Sequence, residues 1–195
     1  MGKGSGTTRR KNPSVSGAKS EKELIEGFKN YMELYYDDDY TNADRKAFER
    51  MVESSEYEGV LYRGTVLPSM EEEIEFIENL IAHEGEYITD LNSFTPRSGM
   101  DEMRSAGFTI RERNVVSFSK GHRPEYSWSD DIEDNEGYQA PVIFRTSGRK
   151  VAGKDLKSEG EVAVSIKKTK FKVKSVKRVS SDDYPSGYYW DVRLS

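Results

Sequence analysis

No cysteine occurs anywhere in the 195 residues, which excludes a disulfide framework, a thiol nucleophile and thiolate-bound zinc. Histidine is almost as scarce, with His83 and His122 as its two occurrences. A zinc centre that needs several imidazoles cannot be built from them, and no nucleophile motif accompanies either one as a Ser-His-Asp triad requires. Both are expected at the surface, where polar side chains ordinarily sit. No apolar run approaches the roughly 20 residues that cross a bilayer. The charges near the N-terminus are not followed by the hydrophobic stretch of a secretory leader. The expectation from these absences is a cytoplasmic protein with no membrane partner and no metal. Met1-Gly2 opens like a myristoylation signal, but that pattern wants Ser or Thr at the sixth position, where Gly6 stands.

What is present is charge and aromatic bulk. Apolar residues make up 34% and charged residues 33% of the chain, yet 12 Tyr, 8 Phe and 2 Trp supply large surfaces that a disordered chain lacks. Residues 1–20 are rich in Gly and Ser and carry Lys3, Arg9, Arg10, Lys11 and Lys19 with no acid. This stretch reads as a disordered basic tail, able to touch a polyanion such as nucleic acid, though nothing requires that contact. Removing its five positive charges from the net charge of −5 leaves −10 on residues 21–195. That remainder reads as one domain, with a helical part over 21–57 and a core over 58–195.

Ser20 and Glu23 form a capping box, and Leu24, Phe28, Tyr31 and Tyr35 follow at helical spacing, predicting a helix to about Tyr36. Residues 37–40 break it. Thr41 with Asp44 opens a second helix with Ala47, Phe48, Met51 and Val52 on one face, ending before the Glu58-Gly59 turn. A first strand is expected over residues 59–63. Pro68-Ser69 then caps a third helix through a box with Glu72, with Ile74, Ile77 and Ile81 buried and Glu71, Glu72, Glu73, Glu75 and Glu78 in water. From Glu86 onward the pattern is of short strands, at 87–89, 114–119, 141–145, 161–166, 170–176 and 188–194. Helices followed by several strands mean an α+β fold with a mixed or antiparallel sheet. Residues 121–139, with Arg123, Tyr126 and Trp128, read as a long functional loop or a poorly formed helix. Lys168, Lys170, Lys172 and Lys174 alternate with Phe171 and Val173, as in an outer strand guarded by lysine.

Three segments stand in order beside these strands: Tyr62-Arg63-Gly64, Ser117-Phe118-Ser119 and Glu159-Gly160-Glu161. A guanidinium can grip phosphate oxygens with a planar pair of donors. Serines two apart share one strand face and turn the intervening aromatic to the other, and carboxylates two apart at a strand's mouth emerge together. A second serine segment, Ser93-Phe94-Thr95, also fits the middle position, though it requires a long insertion before the next strand.

The ordered set resembles the Arg, Ser-x-Ser and Glu-x-Glu signature of mono-ADP-ribosyltransferases, and looks most like the small arginine-directed enzymes of bacteriophages. The resemblance spans about residues 59–178. It implies N-terminal helices followed by a mixed, largely antiparallel two-sheet core around a cleft for NAD, which is a substrate, with no metal. It implies that Arg63, beside Gly64, grips the NAD phosphates. Ser117 would orient the catalytic glutamate, Ser119 would support the NAD-binding strands, and Phe118 would lie between them. Glu161 would be catalytic, with Glu159 orienting or deprotonating the acceptor. Glu at that first position is the pattern of arginine-modifying members, and the implied partner is a host protein in the host cell cytoplasm. In the family the loop over 146–158 recognises the acceptor, and here it lacks the aromatic often found before Glu-x-Glu. Two other readings stand beside this one. An NAD glycohydrolase toxin uses the same Arg63, Ser117 and Glu161 with water as acceptor, and a non-catalytic nucleic-acid or assembly module would bind through the basic tail and the lysine strand.

Overall fold

The computed structural model describes residues 18–29, 40–88, 93–105, 114–120, 137–157 and 160–195. The tail over 1–17, the end of the first helix with Tyr31 and Tyr35, most of the loop over 121–139, and Glu159 lie outside them. Two helices lead the described chain. In α1 (Glu21–Lys29), the Ser20 N–H donates to Glu23 Oε2 at 2.7 Å and the Glu23 N–H donates to Ser20 Oγ at 3.3 Å, closing the capping box. In α2 (Asn42–Ser54), Thr41 and Asp44 do the same. Phe28 stacks on Phe48 at 4.6 Å between ring centroids, which fastens the two helices together.

Nine strands follow: β1 (Glu56–Glu58), β2 (Leu61–Leu67), β3 (Tyr87–Ile88), β4 (Val115–Lys120), β5 (Ala140–Thr146), β6 (Lys150–Asp155), β7 (Glu161–Ser165), β8 (Phe171–Ser180) and β9 (Tyr188–Leu194). Helix α3 (Met70–Ala82) stands between β2 and β3, and α4 (Arg97–Ser105) between β3 and β4. The fold is α+β, and the strand order is β1-β6-β7-β4-β2-β5-β9-β8-β3. Every neighbouring pair is antiparallel except β5 with β9. Strands β1 and β6 and helix α4 were not expected. The first two are short and polar, so alternation is weak, and β6 falls inside the segment read as an acceptor loop.

The sheet does not lie flat. Strands β4 and β8 are four places apart, which in a flat sheet would be about 19 Å, yet Phe118 of β4 and Phe171 of β8 lie 5.5 Å apart between ring centroids. The sheet therefore rolls over until its two halves face each other, as the two-layer expectation requires. Phe94 fills the space between them, 5.9 Å from Phe118, 5.1 Å from Phe144 and 6.0 Å from Phe171. Outside this core, α1 and α2 cover the other face of β4, β6 and β7, where Leu24, Phe28, Phe48 and Val52 meet Val115, Leu156 and Ala163. The lysine strand β8 buries Phe171 and Val173 and pairs with β3 at two positions, so most of its far edge is left to its polar side chains.

Helix α3 corrects the expected stripe. Ile77 is buried, but Ile74 and Ile81 are exposed at 51% and 48%, and the inward face is Glu72, Glu73, Phe76, Ile77 and Leu80. The two sets lie about 100° or less apart on the helix, so the direction of docking and not periodicity chooses between them. Burial of Glu72 and Glu73 is tolerable because each is met by donors. Glu73 accepts from Trp190 Nε1 at 2.7 Å, from the Tyr188 hydroxyl at 2.9 Å and from the Tyr138 hydroxyl. Hydrogen bonding to that carboxylate holds the Tyr138 phenol protonated well beyond its usual range. Glu72 accepts from the Ser98 N–H and hydroxyl, both at 2.8 Å, and does not turn back to close the expected capping box, although Ser69 Oγ still caps the Glu72 N–H. His83 sits exposed at the end of α3, with Nδ1 2.7 Å from the Asn79 carbonyl.

Ile77→Ala is expected to destabilise the protein by about 2–5 kcal/mol and Ile74→Ala by under about 0.5 kcal/mol, measured by urea unfolding. Equal losses at the two positions would contradict the helix orientation.

Candidate functional site

Strand β4 pairs with β7 along five positions, from Val115 opposite Ser165 to Ser119 opposite Glu161. On its other side it meets β2 at two positions, Leu61 opposite Lys120 and Tyr62 opposite Ser119. Beyond Tyr62, β2 continues to Leu67 bonded to β5, so β2 and β4 part. The first residue past the fork is Arg63. Its Nη1 donates to the Ser117 carbonyl at 3.0 Å across the opening, a carbonyl that has no β2 partner because the strands have separated. Arg63 is half-buried, and its Nε is shielded from solvent with no partner among the described residues. The guanidinium is thus anchored through one nitrogen at the mouth of a wedge, with donors still unused, which is an arrangement suited to an anionic ligand. Gly64, next on the strand, stands opposite Ile143.

The serine segment lies as alternation requires. Phe118 turns into the core at 1% exposure, while Ser117 and Ser119 share the face that carries Val115. Cross-strand register then sets Glu161, Ser119, Tyr62 and Arg145 in one row on one face of β7, β4, β2 and β5. At about 5 Å per strand, Glu161 and Tyr62 are about 10 Å apart. The competing segment does not reach the sheet: Ser93-Phe94-Thr95 forms the turn before α4, and Phe94 is fully buried. The fold therefore sets Ser117, Ser119 and Glu161 on one face of two adjacent strands and ties Arg63, on the next strand, to the Ser117 carbonyl, while Glu159 falls outside the described residues.

Glu161 opens β7 at the end of a short hairpin. The Leu156 N–H donates to the Glu161 carbonyl at 3.0 Å, and the Lys120 N–H donates to the Gly160 carbonyl at 2.7 Å, so the turn is held from both β6 and β4. Gly160 has φ of 66°, a left-handed conformation that glycine adopts without a Cβ penalty. Lys120 Nζ reaches Asp155 Oδ1 at 2.7 Å, and the same oxygen accepts the Lys157 N–H at 2.8 Å. Burial pushes the Asp155 carboxyl up, but the hydrogen bonds and charge of Lys120 and Lys157 outweigh it and leave the group below its ordinary range.

The segment over 146–158, expected as an acceptor loop with four cations, contains strand β6 over residues 150–155. Three of those cations are engaged: Lys150 with Glu56 at 2.8 Å, Lys154 with Glu21 at 2.6 Å, and Arg149 with the Lys170 carbonyl at 2.5 Å. Asp155, read as part of that loop, is the last residue of β6 opposite Val162, and Arg145 enters through strand register, which no local motif reveals. Among the described residues no group of three or more His, Asp or Glu side chains is placed to hold a metal ion, and no helix is long and apolar enough to cross a membrane.

No family model and no curated protein matches the chain. Among solved structures it is similar to Vis toxin, an ADP-ribosyltransferase from Vibrio splendidus, at 19% identity over 90% of this chain and 72% of that one, with a TM-score of 0.45. It is similar to C3larvin toxin, an ADP-ribosyltransferase from Paenibacillus larvae, at 8% identity over 90% and 94% of the two chains, with a TM-score of 0.47. It is also similar to BECa, an ADP-ribosylating toxin of a binary enterotoxin of C. perfringens, solved with NADH, at 13% identity over 93% of this chain and 42% of that one, with a TM-score of 0.40. At these identities and scores the likeness transfers no residue roles.

The depressed Asp155 carboxyl contributes stability that is complete above the unfolded value of about 3.9 and is lost as pH falls through the lower folded value. Hydrogen-exchange protection at Leu156 and Lys157 is therefore expected to hold from neutrality down to about pH 4 and to fall below it. In Asp155→Asn that protection is expected to be reduced already at pH 7. Protection unaltered by the substitution would show that the Lys120 clamp does not hold the turn.

Proposed function

We propose that this protein is a mono-ADP-ribosyltransferase that cleaves NAD, releases nicotinamide and transfers ADP-ribose to an arginine on a protein acceptor. The observation that carries the reading is the convergence of the three motif segments. Arg63 and Ser117, 54 residues apart, are bonded where β2 and β4 part, and Glu161 stands opposite Ser119 on the next strand. The resemblance of the motifs supplies the roles, and the geometry is consistent with them.

On this reading the Arg63 fork holds the NAD phosphates, anchored by the Ser117 carbonyl so that little of its freedom is lost on binding. The bond between C1 of the ribose and the nicotinamide nitrogen breaks, and its electron pair leaves with nicotinamide, which thereby becomes neutral. Positive charge grows on the ribose, and the Glu161 carboxylate stabilises it, more strongly in the transition state than in the ground state. An arginine nitrogen then forms the new bond to C1. Glu159 takes the proton that the guanidinium must lose, since a protonated guanidinium is a poor nucleophile.

One observation favours the glycohydrolase as a second reading. The five residues between β6 and Glu161, Leu156, Lys157, Ser158, Glu159 and Gly160, include no aromatic, so little there is available to grip a protein acceptor, and water would take the acceptor's place.

The test is transfer of label from adenylate-labelled NAD to proteins of a lysate, with nicotinamide release followed in parallel. Glu161→Gln is expected to lower both by about 10²–10³, the scale of losing one preorganised charge at a transition state. Glu159→Gln is expected to lower labelling while sparing nicotinamide release. Release without labelling would select the glycohydrolase, and an unmodified protein that neither binds nor consumes NAD would reject both. Arg63→Lys, which keeps the charge and loses the fork, is expected to raise KM for NAD by about tenfold; an unchanged KM would remove Arg63 from the NAD site.

A further inference from the structure

We infer a second anion site, for a nucleoside phosphate, on the open face of β5, β9 and β8, built around Arg145. The row that contains Glu161, Ser119 and Tyr62 continues through Arg145 to Arg193 and Ser175. Helices α1 and α2 cover this face only over β4, β6 and β7. A cavity of about 410 Å3 opens there, lined by Tyr62, Arg145, Ser147, Lys174 and Arg193 among others. A smaller one of about 220 Å3 adjoins it, sharing Tyr62, Arg145 and Arg193 and adding Tyr189 and Asp191. Together they have the dimensions of a small-molecule site.

The charge balance points to the ligand. Among the described residues, Arg145, Arg193 and Lys174 are opposed by one side-chain carboxylate, Asp191, whose Oδ2 takes the Arg193 Nε–H at 3.1 Å. The carboxyl oxygen of Ser195 at the rim accepts the Lys172 N–H at 2.8 Å. Arg145 is half-buried and has no hydrogen-bond or ion-pair partner among the described residues. A protein that carries −10 over residues 21–195 thus gathers uncompensated positive charge in one groove. Partly desolvating a guanidinium without a partner is unfavourable, and an anion with several acceptor oxygens relieves it. A phosphate monoester offers the unpartnered Arg145 several charged acceptor oxygens. The rings of Tyr62 and Tyr189 at the groove's margins offer a base a surface to stack on. The site lies across β2 from the Arg63–Ser117 contact, with Arg145 opposite Tyr62 and about 15 Å from Glu161 along the same row.

The experiment is calorimetric titration with AMP, adenosine and inorganic phosphate. AMP is expected to bind, with affinity falling about tenfold or more in Arg145→Gln and in Lys174→Gln, the loss of a hydrogen bond to a charged group. AMP is part of NAD, so binding at the Arg63 wedge is expected as a second, separable event that Arg63→Gln removes; the Arg145 event is expected to be unchanged in Arg63→Gln and Glu161→Gln, and all four variants are compared with the unmodified protein by thermal melting. Adenosine is expected to bind more weakly than AMP. Inorganic phosphate binding as tightly as AMP would overturn the nucleoside part of the inference. No AMP binding, or binding lost in Arg63→Gln and kept in Arg145→Gln, would overturn the site. These outcomes are independent of NAD turnover, so a failed transferase assay leaves them readable.

Discussion

The structure depends on the fork at Tyr62, where β2 leaves β4 for β5. A sheet that had kept its ladder would have satisfied the Ser117 carbonyl with a backbone N–H and closed the wedge. Because the strands separate, the orphan carbonyl needs a donor, and Arg63 supplies it with a side chain that still has donors to spare. The same separation lets the sheet roll over until Phe118 touches Phe171. The phenylalanine cluster around Phe94 is the apolar stabilisation that makes the separation tolerable, for the interior it fills would otherwise be a void.

Acids are abundant in this chain, and the fold sorts them into three uses. Glu56 and Glu21 answer the cations of β6 and hold that strand against β1 and α1. Glu72 and Glu73 are buried and satisfied by hydroxyl, amide and indole donors from α4, β9 and Tyr138, with Arg97 Nε also 4.0 Å from Glu72 Oε1. Asp155 braces the turn before Glu161.

The candidate site sits on rigid elements. Arg63, Ser117 and Glu161 each belong to a strand, and the turn at Glu161 is tied by two backbone hydrogen bonds and a lysine clamp. Groups held in this manner do not need to reorganise when charge develops, which is the condition under which a carboxylate stabilises a cationic transition state effectively.

Much of the local structure was readable in the chain. Caps at Ser20, Thr41 and Ser69, the runs that became β2, β4, β5, β7, β8 and β9, and the alternation in Ser117-Phe118-Ser119 all rest on interactions within a few residues, which sequence encodes directly. What it did not reveal is of one kind. Whether α3 buries Ile74 or Glu73 depends on the side from which it docks. Whether residues 150–155 are loop or strand depends on the partners β1 and β7. Whether Ser93 or Ser117 faces Arg63 depends on which strand lies beside β2. Each is decided by contacts between residues tens of positions apart, whose free energy exists only once the whole chain has closed around its core. The residue types, the capping and the order of the three segments are properties of the chain alone, whereas their meeting at one fork, the burial of two glutamates and the half-burial of Arg145 are properties of the closed sheet.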